Sequence, residues 1–332
     1  MILYIFSFLL SFSLALYLTP RVRDIALRLN IVDIPDNNLK QHNGPVPYLG
    51  GAAIYIAFLV TLALTFDFSR EVLSLLLGGS IVLIIGLVDD LKVLSPGLKL
   101  IGECLAVLAL MKSGIRMKLT FIPIWISIPV TILWLIGITN AFNLIDIMDG
   151  LSGGVAFIAC LCLFWVASLN GRTMIAIMTI ALGGSILGFL RWNMPHARIY
   201  LGDAGSLFIG LMIGALAMIG SYTDKNLVAT LAPVLILGVP IFDTIFVSYI
   251  RFKRGRSIFL GSNDHFAIRL RHLKMSPVQV VVLSYLVAAA LGMAGVLMIS
   301  LSTRGAVYLF MGTCVMLFVG ALLLKRIRME EG

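Results

Sequence analysis

Eleven stretches of this chain are apolar for close to the length a bilayer core demands. They lie near 1–19, 48–66, 72–88, 98–112, 121–142, 151–169, 173–190, 204–220, 227–249, 277–299 and 305–324. Lipid offers the backbone no hydrogen-bond partner, so such stretches must close their own bonds as helices. Of the 332 residues, 60% are hydrophobic and only 12% are charged, about half the charge of a soluble domain. The expectation is an all-α polytopic membrane protein: a single bundle of about eleven spanning helices, with 1–332 as one domain. The bilayer is its first partner.

Charge sets the expected orientation. With eleven spans, eighteen of the 25 Lys and Arg residues fall on one side of the membrane, the side expected to be cytoplasmic. The N-terminus is then outside and the C-terminus inside. The net charge of +9 is mainly this topology signal. No basic stretch carries the aromatic interleaving of a nucleic-acid surface, so no nucleic acid is expected as a partner. The first span lacks a preceding Lys or Arg and a small-residue cleavage site, and is expected to stay as a helix of the bundle. Cys104, Cys160, Cys162 and Cys314 all sit inside apolar spans, where packing is their expected role.

Against this background five carboxylates stand out: Asp89 and Asp90, Asp146 and Asp149, and Asp203. They occupy three polar breaks that the span count puts on one face, the cytoplasmic one. Acids beside lipid are costly, so their convergence marks a site. Each has a plainer reading on its own. Asp89-Asp90 could pair with Lys92 among headgroups, and Lys99 could snorkel. Asp149 could cap the sixth span, and Asp203 is a natural N-cap for the eighth.

The set is harder to dismiss. Adjacent residues on a helix diverge by about 100°, so Asp89 and Asp90 must serve different partners. Asn140, Asn143, Asp146 and Asp149 recur at every third position and make a polar flank at the end of the fifth span. Gly202-Asp203-Ala-Gly205 opens a helix with glycines on both sides, where backbone amides and a carboxylate can hold a cation and a phosphate together. In the first inner loop Lys40 and His42 are candidate ligand contacts. In the last, His265 and Arg269 lie far enough from the membrane to meet a phosphate. Oxygen ligands, cationic side chains and glycine turns, without a Ser or Cys nucleophile framework, fit Mg²⁺-assisted phosphoryl transfer.

Val88-Asp89-Asp90, the run Asn140-Ala-Phe-Asn143-Leu-Ile-Asp146-Ile-Met-Asp149-Gly150-Leu151, and Leu201-Gly-Asp203-Ala-Gly-Ser206 resemble the three signatures of the polyprenyl-phosphate N-acetylhexosamine-1-phosphate transferases. The resemblance covers nearly the whole chain in motif order, span number and length. It implies transfer of a sugar-1-phosphate from a UDP-N-acetylhexosamine to undecaprenyl phosphate in the bacterial inner membrane, with UMP released. The lipid diphosphate sugar so formed would start a cell-surface polysaccharide. By motif position Asp203 and Asn143 would bind Mg²⁺, with Mn²⁺ as an alternative. Asp89 would be the base or nucleophile, with Asp90 and Lys99 arranging the lipid phosphate. Asp146 and Asp149 would line the nucleotide pocket, and Asn140, Lys40, His265 and Arg269 would contact substrate. A homodimer is a further option.

The last loop departs from the pattern. Ala267 and Ile268 stand where several relatives carry histidines, which argues against a phospho-MurNAc-pentapeptide donor. UDP-GlcNAc is the default donor and a UDP-6-deoxy-N-acetylhexosamine the alternative. A cation-coupled transporter is the rival from another class. It would place its acids near the midplane between inverted repeats, whereas these acids sit at span ends.

Overall fold

The computed structural model describes residues 1–33, 44–66, 68–117, 123–220, 222, 226–257, 264–327 and 329. The long helices are α1 (Ile2–Arg28), α3 (Arg70–Leu91), α5 (Ile124–Leu144), α6 (Leu151–Leu169), α7 (Thr173–Asn193), α8 (Gly202–Ile219), α12 (Pro277–Ser300) and α13 (Thr303–Lys325). These eight are long and apolar enough to cross a membrane. Between them come α2 (Gly50–Thr65), α4 (Pro96–Lys112), the short α9 (Ala232–Ile236), α10 (Gly238–Lys253) and α11 (Phe266–His272). The only strands among the described residues, β1 (Val32–Asp33) and β2 (Val46–Pro47), form a small antiparallel ladder. The protein is an all-α, multi-pass membrane protein.

Each of the eleven expected stretches contains helix, but two differ from expectation. The first does not stop at residue 19, because α1 runs through Pro20 to Arg28. Proline is tolerated inside a helix that neighbouring helices support. The ninth is not straight. A 3-10 turn, Leu227–Leu231, leads through α9 to Leu237, where the axis bends by 75° into α10. Pro240 has no N–H for the Ile236 carbonyl, which breaks the ladder there. Counting this bent pair as one gives up to nine candidate spans by length and composition, with the 16-residue α2 a shorter apolar helix.

Helix α8 is the axis of the bundle. Of its most apolar stretch 83% is buried, against 6% for α13, which is left facing outward. Small residues make this possible: Gly86 on α3 brings its backbone so close to Ala204 that a Cβ would collide with it. The segment before α8 is clasped by α2, whose first amides donate from Gly50 to the Tyr200 carbonyl and from Gly51 to that of Leu201, both at 3.0 Å. Tyr200 N–H in turn donates to the Pro47 carbonyl at 2.9 Å. The start of α8 is thereby held by backbone bonds on both sides.

Candidate active site

The C-terminal ends of α3 and α5 meet the N-terminal ends of α4 and α8 on one side of the bundle. Asp90, in the last turn of α3, turns toward α8. Its two carboxylate oxygens accept the backbone N–H groups of Asp203 (2.8 Å) and Ala204 (3.2 Å). The N-cap position of α8 belongs to Leu201, which offers no side-chain bond. Asp90 therefore caps this helix from another helix, satisfying amides that would otherwise be orphaned. Gly202 makes room for it: φ is +74°, and a Cβ there would lie 2.6 Å from Asp90 Oδ2.

Asp89 points elsewhere, as the helical geometry demands. Its Oδ1 accepts the Leu94 N–H at 2.6 Å, and its other oxygen is paired with the Lys99 ammonium. That ammonium also lies 2.6 Å from Asp203 Oδ2. Lys99 stands in the first turn of α4, a helix started by Ser95 at its N-cap and Pro96. Asp203 is completed on its other side by Asn143, whose amide nitrogen donates to Asp203 Oδ1 at 3.0 Å and to Ser206 Oγ at 2.9 Å. The plainer reading of Asp203 as its own N-cap does not hold, because the carboxylate faces Lys99 and Asn143.

Asp146 and Asp149 follow α5 in a short turn. Asp149 Oδ2 accepts the Ala197 N–H at 2.8 Å. It does not cap α6, whose N-cap is Gly150 with φ +75°. Gly150 is pinned at both backbone groups: its N–H donates to Asn193 Oδ1 at 3.0 Å, and its carbonyl accepts from the Tyr285 hydroxyl at 2.6 Å. Burial raises the Asp146 carboxyl well above the usual carboxylate range, and the charges of Asp203, Asp90 and Asp149 push the same way. Burial, with Asp149 and Asp33 nearby, pushes the Tyr200 phenol up to about 12.

Asp89, Asp90, Asp146, Asp149 and Asp203 all line one cleft of about 990 Å³, with Asp33, Tyr48 and Tyr200 on its wall. A larger, mostly apolar cavity of about 1230 Å³ lies at the opposite ends of α3, α4, α7 and α8 and contains none of these five acids. The five acids gather in the smaller of the two.

The remaining candidates are placed apart. Asn140 donates to Glu103 Oε2 at 2.5 Å and to the Ile136 carbonyl at 3.0 Å, within the α4–α5 contact. His265 is buried, its Nδ1 2.6 Å from Asp243 Oδ2, and Asp243 also accepts the first amide of α11 from Phe266 at 2.9 Å. Arg269 is only 2% exposed, paired with Asp264 at 2.8 Å and donating to the carbonyls of Leu324 and Ile327. Neither His265 nor Arg269 lines the cleft. They bolt α11 to α10 and α13 in this structure, a role invisible in a loop read as basic and exposed. Lys40 and His42 lie outside the described residues.

Glu103, Asn193 and Asp243 were not singled out from the sequence. A lone glutamate four residues after Lys99 in an apolar span was a usable signal for the first. The other two are recognisable only once the chain is folded.

The donor set fits a hard divalent cation. It is made of oxygens, and Lys99 already holds a positive charge where Asp89 and Asp203 meet. The Asn143 amide oxygen accepts no hydrogen bond among the described residues. Among these residues no three His, Cys, Asp or Glu side chains form a ready cage. Mg²⁺ needs none, since it commonly takes one or two protein ligands and completes its shell with waters and substrate phosphates.

Fold and cleft together define a multi-pass membrane protein with an acidic, oxygen-rich site at one end of its helices. The family model described as glycosyl transferase family 4 matches residues 72–221, from α3 through α8. A probable undecaprenyl-phosphate N-acetylglucosaminyl 1-phosphate transferase of Bacillus subtilis (strain 168) is 33% identical over 296 residues, 86% of this chain and 82% of that protein. A phospho-N-acetylmuramoyl-pentapeptide-transferase of Halalkalibacterium halodurans is 32% identical over 289 residues, 78% and 86% of the two chains. A decaprenyl-phosphate N-acetylglucosaminephosphotransferase of Mycobacterium leprae is 30% identical over 333 residues, 88% and 83%. The chain belongs to glycosyl transferase family 4.

Proposed function

We propose that this protein transfers N-acetylhexosamine-1-phosphate, by default GlcNAc-1-phosphate, from a UDP-sugar to undecaprenyl phosphate. An oxygen of the lipid phosphate attacks the sugar-linked phosphorus, the bond to UMP breaks, and a polyprenyl diphosphate sugar forms. The observation that carries this reading is the Lys99 ammonium held between Asp89 and Asp203 in an acidic cleft at the helix ends. Relatives named as undecaprenyl-phosphate and decaprenyl-phosphate transferases support it. Acids at helix ends do not favour a transporter.

Asp203 and Asn143 would hold Mg²⁺, or Mn²⁺, which when bound neutralises charge on the diphosphate oxygens. Asp146 and Asp149 face the nucleotide side of the cleft, and Asp90 keeps Asp203 in place. Asp89 has little need to act as a base, because a phosphate monoester with a second pKa of about 6 is mostly dianionic at neutral pH. Asp89 instead steers Lys99 toward the lipid phosphate. Read as eleven spans, the apolar stretches and the excess of Lys and Arg on one side support a cleft on the cytoplasmic side of the inner membrane with the N-terminus outside. There the lipid arrives laterally and the nucleotide from solution.

Purified protein assayed with UDP-GlcNAc, UDP-GalNAc and a UDP-6-deoxy-N-acetylhexosamine settles the donor. Lipid-dependent UMP release is expected to be highest with UDP-GlcNAc. Preference for the 6-deoxy donor would move the assignment to that branch of the family.

A further inference from the structure

Glu103 sits one helical turn beyond Lys99 on α4 and is 2% exposed. Its hydrogen bond comes from the Asn140 amide on α5, at 2.5 Å. Among the described residues no Lys, Arg or His lies within ion-pair distance of it. A carboxylate buried in an apolar helix is strongly disfavoured without a cation. The cation on the same helix face is Lys99, at i−4, and helical side chains at that spacing are neighbours. Side chains on a helix tilt toward its N-terminus, which for Glu103 is the Lys99 side.

Lys99 is engaged elsewhere, between Asp89 and Asp203. The reading above seats a divalent cation on Asp203 from the Asn143 side, and a dication on one carboxylate oxygen repels an ammonium held on the other. The helix α5 supplies an amide at each of two levels one turn apart: Asn143 beside Asp203, and Asn140 beside Glu103. We infer that Glu103 is the second seat of the Lys99 ammonium, taken when Asp203 receives a divalent cation and left again when the lipid phosphate arrives to draw Lys99 back. Glu103 is then a positioning residue that sets the metal affinity of the site. The inference rests on Asp203 and Asn143 being the metal ligands.

The test is a Mn²⁺ titration of the purified full-length protein without substrates, followed by the loss of the free-ion electron paramagnetic resonance signal. Glu103→Gln keeps an acceptor for Asn140 and removes only the charge. It is expected to weaken Mn²⁺ binding roughly tenfold, one ion pair's worth. In a Lys99→Met background the same change is expected to do nothing. Equal affinity of Glu103→Gln and wild type overturns the proposal while leaving the metal site standing. An equal loss in both backgrounds shows a through-space charge effect and also overturns it. Absence of Mn²⁺ binding in the wild type removes the metal site, and the proposal with it. A measurement on the unaltered protein guards against a variant that fails to fold. Saturating Mn²⁺ is expected to protect Lys99 from acetylation, read by mass spectrometry, because its ammonium withdraws between α4 and α5. Increased labelling contradicts the inference.

Discussion

Asp90 accepts the backbone N–H groups of Asp203 and Ala204 across 113 residues of chain, so an acid of one helix caps another helix that carries the central acid. The pair explains why two adjacent aspartates are needed at the end of α3. One faces the cleft's cation and the other builds the frame.

Replacing Asp90 by Ala is expected to lower stability by about 1–2 kcal/mol, the usual cost of a lost cap. Asn keeps one acceptor oxygen and is expected to fall between. Activity should drop through kcat, because Asp203 moves. Thermal unfolding and steady-state kinetics read both. An unchanged melting temperature with a raised KM for the lipid would make Asp90 a substrate contact instead.

Gly202→Ala puts a side chain where φ is +74° and where its Cβ would meet Asp90 Oδ2 at 2.6 Å. The left-handed backbone alone costs about 1–2 kcal/mol. Loss of most activity is expected, with weaker Mn²⁺ binding. A fully active Gly202→Ala enzyme would show that the Asp90 cap is dispensable.

Asp146 predicts a pH dependence. Its folded-state pKa is raised by burial and by Asp203, Asp90 and Asp149, so its stabilising contribution is full below the unfolded carboxylate pKa. That contribution is lost as pH rises through the folded pKa. The metal-free protein should therefore lose melting temperature on going from acid toward neutral and alkaline pH. Asp146→Asn should flatten the profile. Identical profiles for the two proteins contradict this assignment.

The acids that form the cleft were legible in the sequence because they interrupt apolar runs at helix ends, where few alternatives exist. Their partners were less so. That Asp90 caps α8 depends on Gly86 and Gly202 opening the approach, a fact of packing rather than of pattern. The break at Leu237 was hidden because 227–249 reads as one apolar run, and only Pro240 hints at it. His265 and Arg269 looked like a basic loop. Their burial against Asp243 and Asp264 needs the folded α10 and α13 to be seen.

The same burial gives Arg269 a distinct signature. Arg269→Gln leaves Asp264 with Arg254 at 3.0 Å but loses the bonds to the α13 end. Destabilisation of about 1–3 kcal/mol is expected for the hydrogen bonds lost and the carbonyls left unsatisfied, with KM for the UDP-sugar unchanged. A large KM rise with normal melting would place the guanidinium on the substrate.

The central claim is a transfer in which lipid phosphate, UDP-sugar and a divalent cation meet at Asp203. Its most direct measurement is UMP release by purified protein with UDP-GlcNAc, with and without undecaprenyl phosphate and Mg²⁺, beside Asp203→Asn. Release is expected only when lipid and Mg²⁺ are both present, with the variant at least a hundredfold slower, the scale of one lost electrostatic contact to the transition state. UMP release without the lipid, or full activity in Asp203→Asn, would contradict the account.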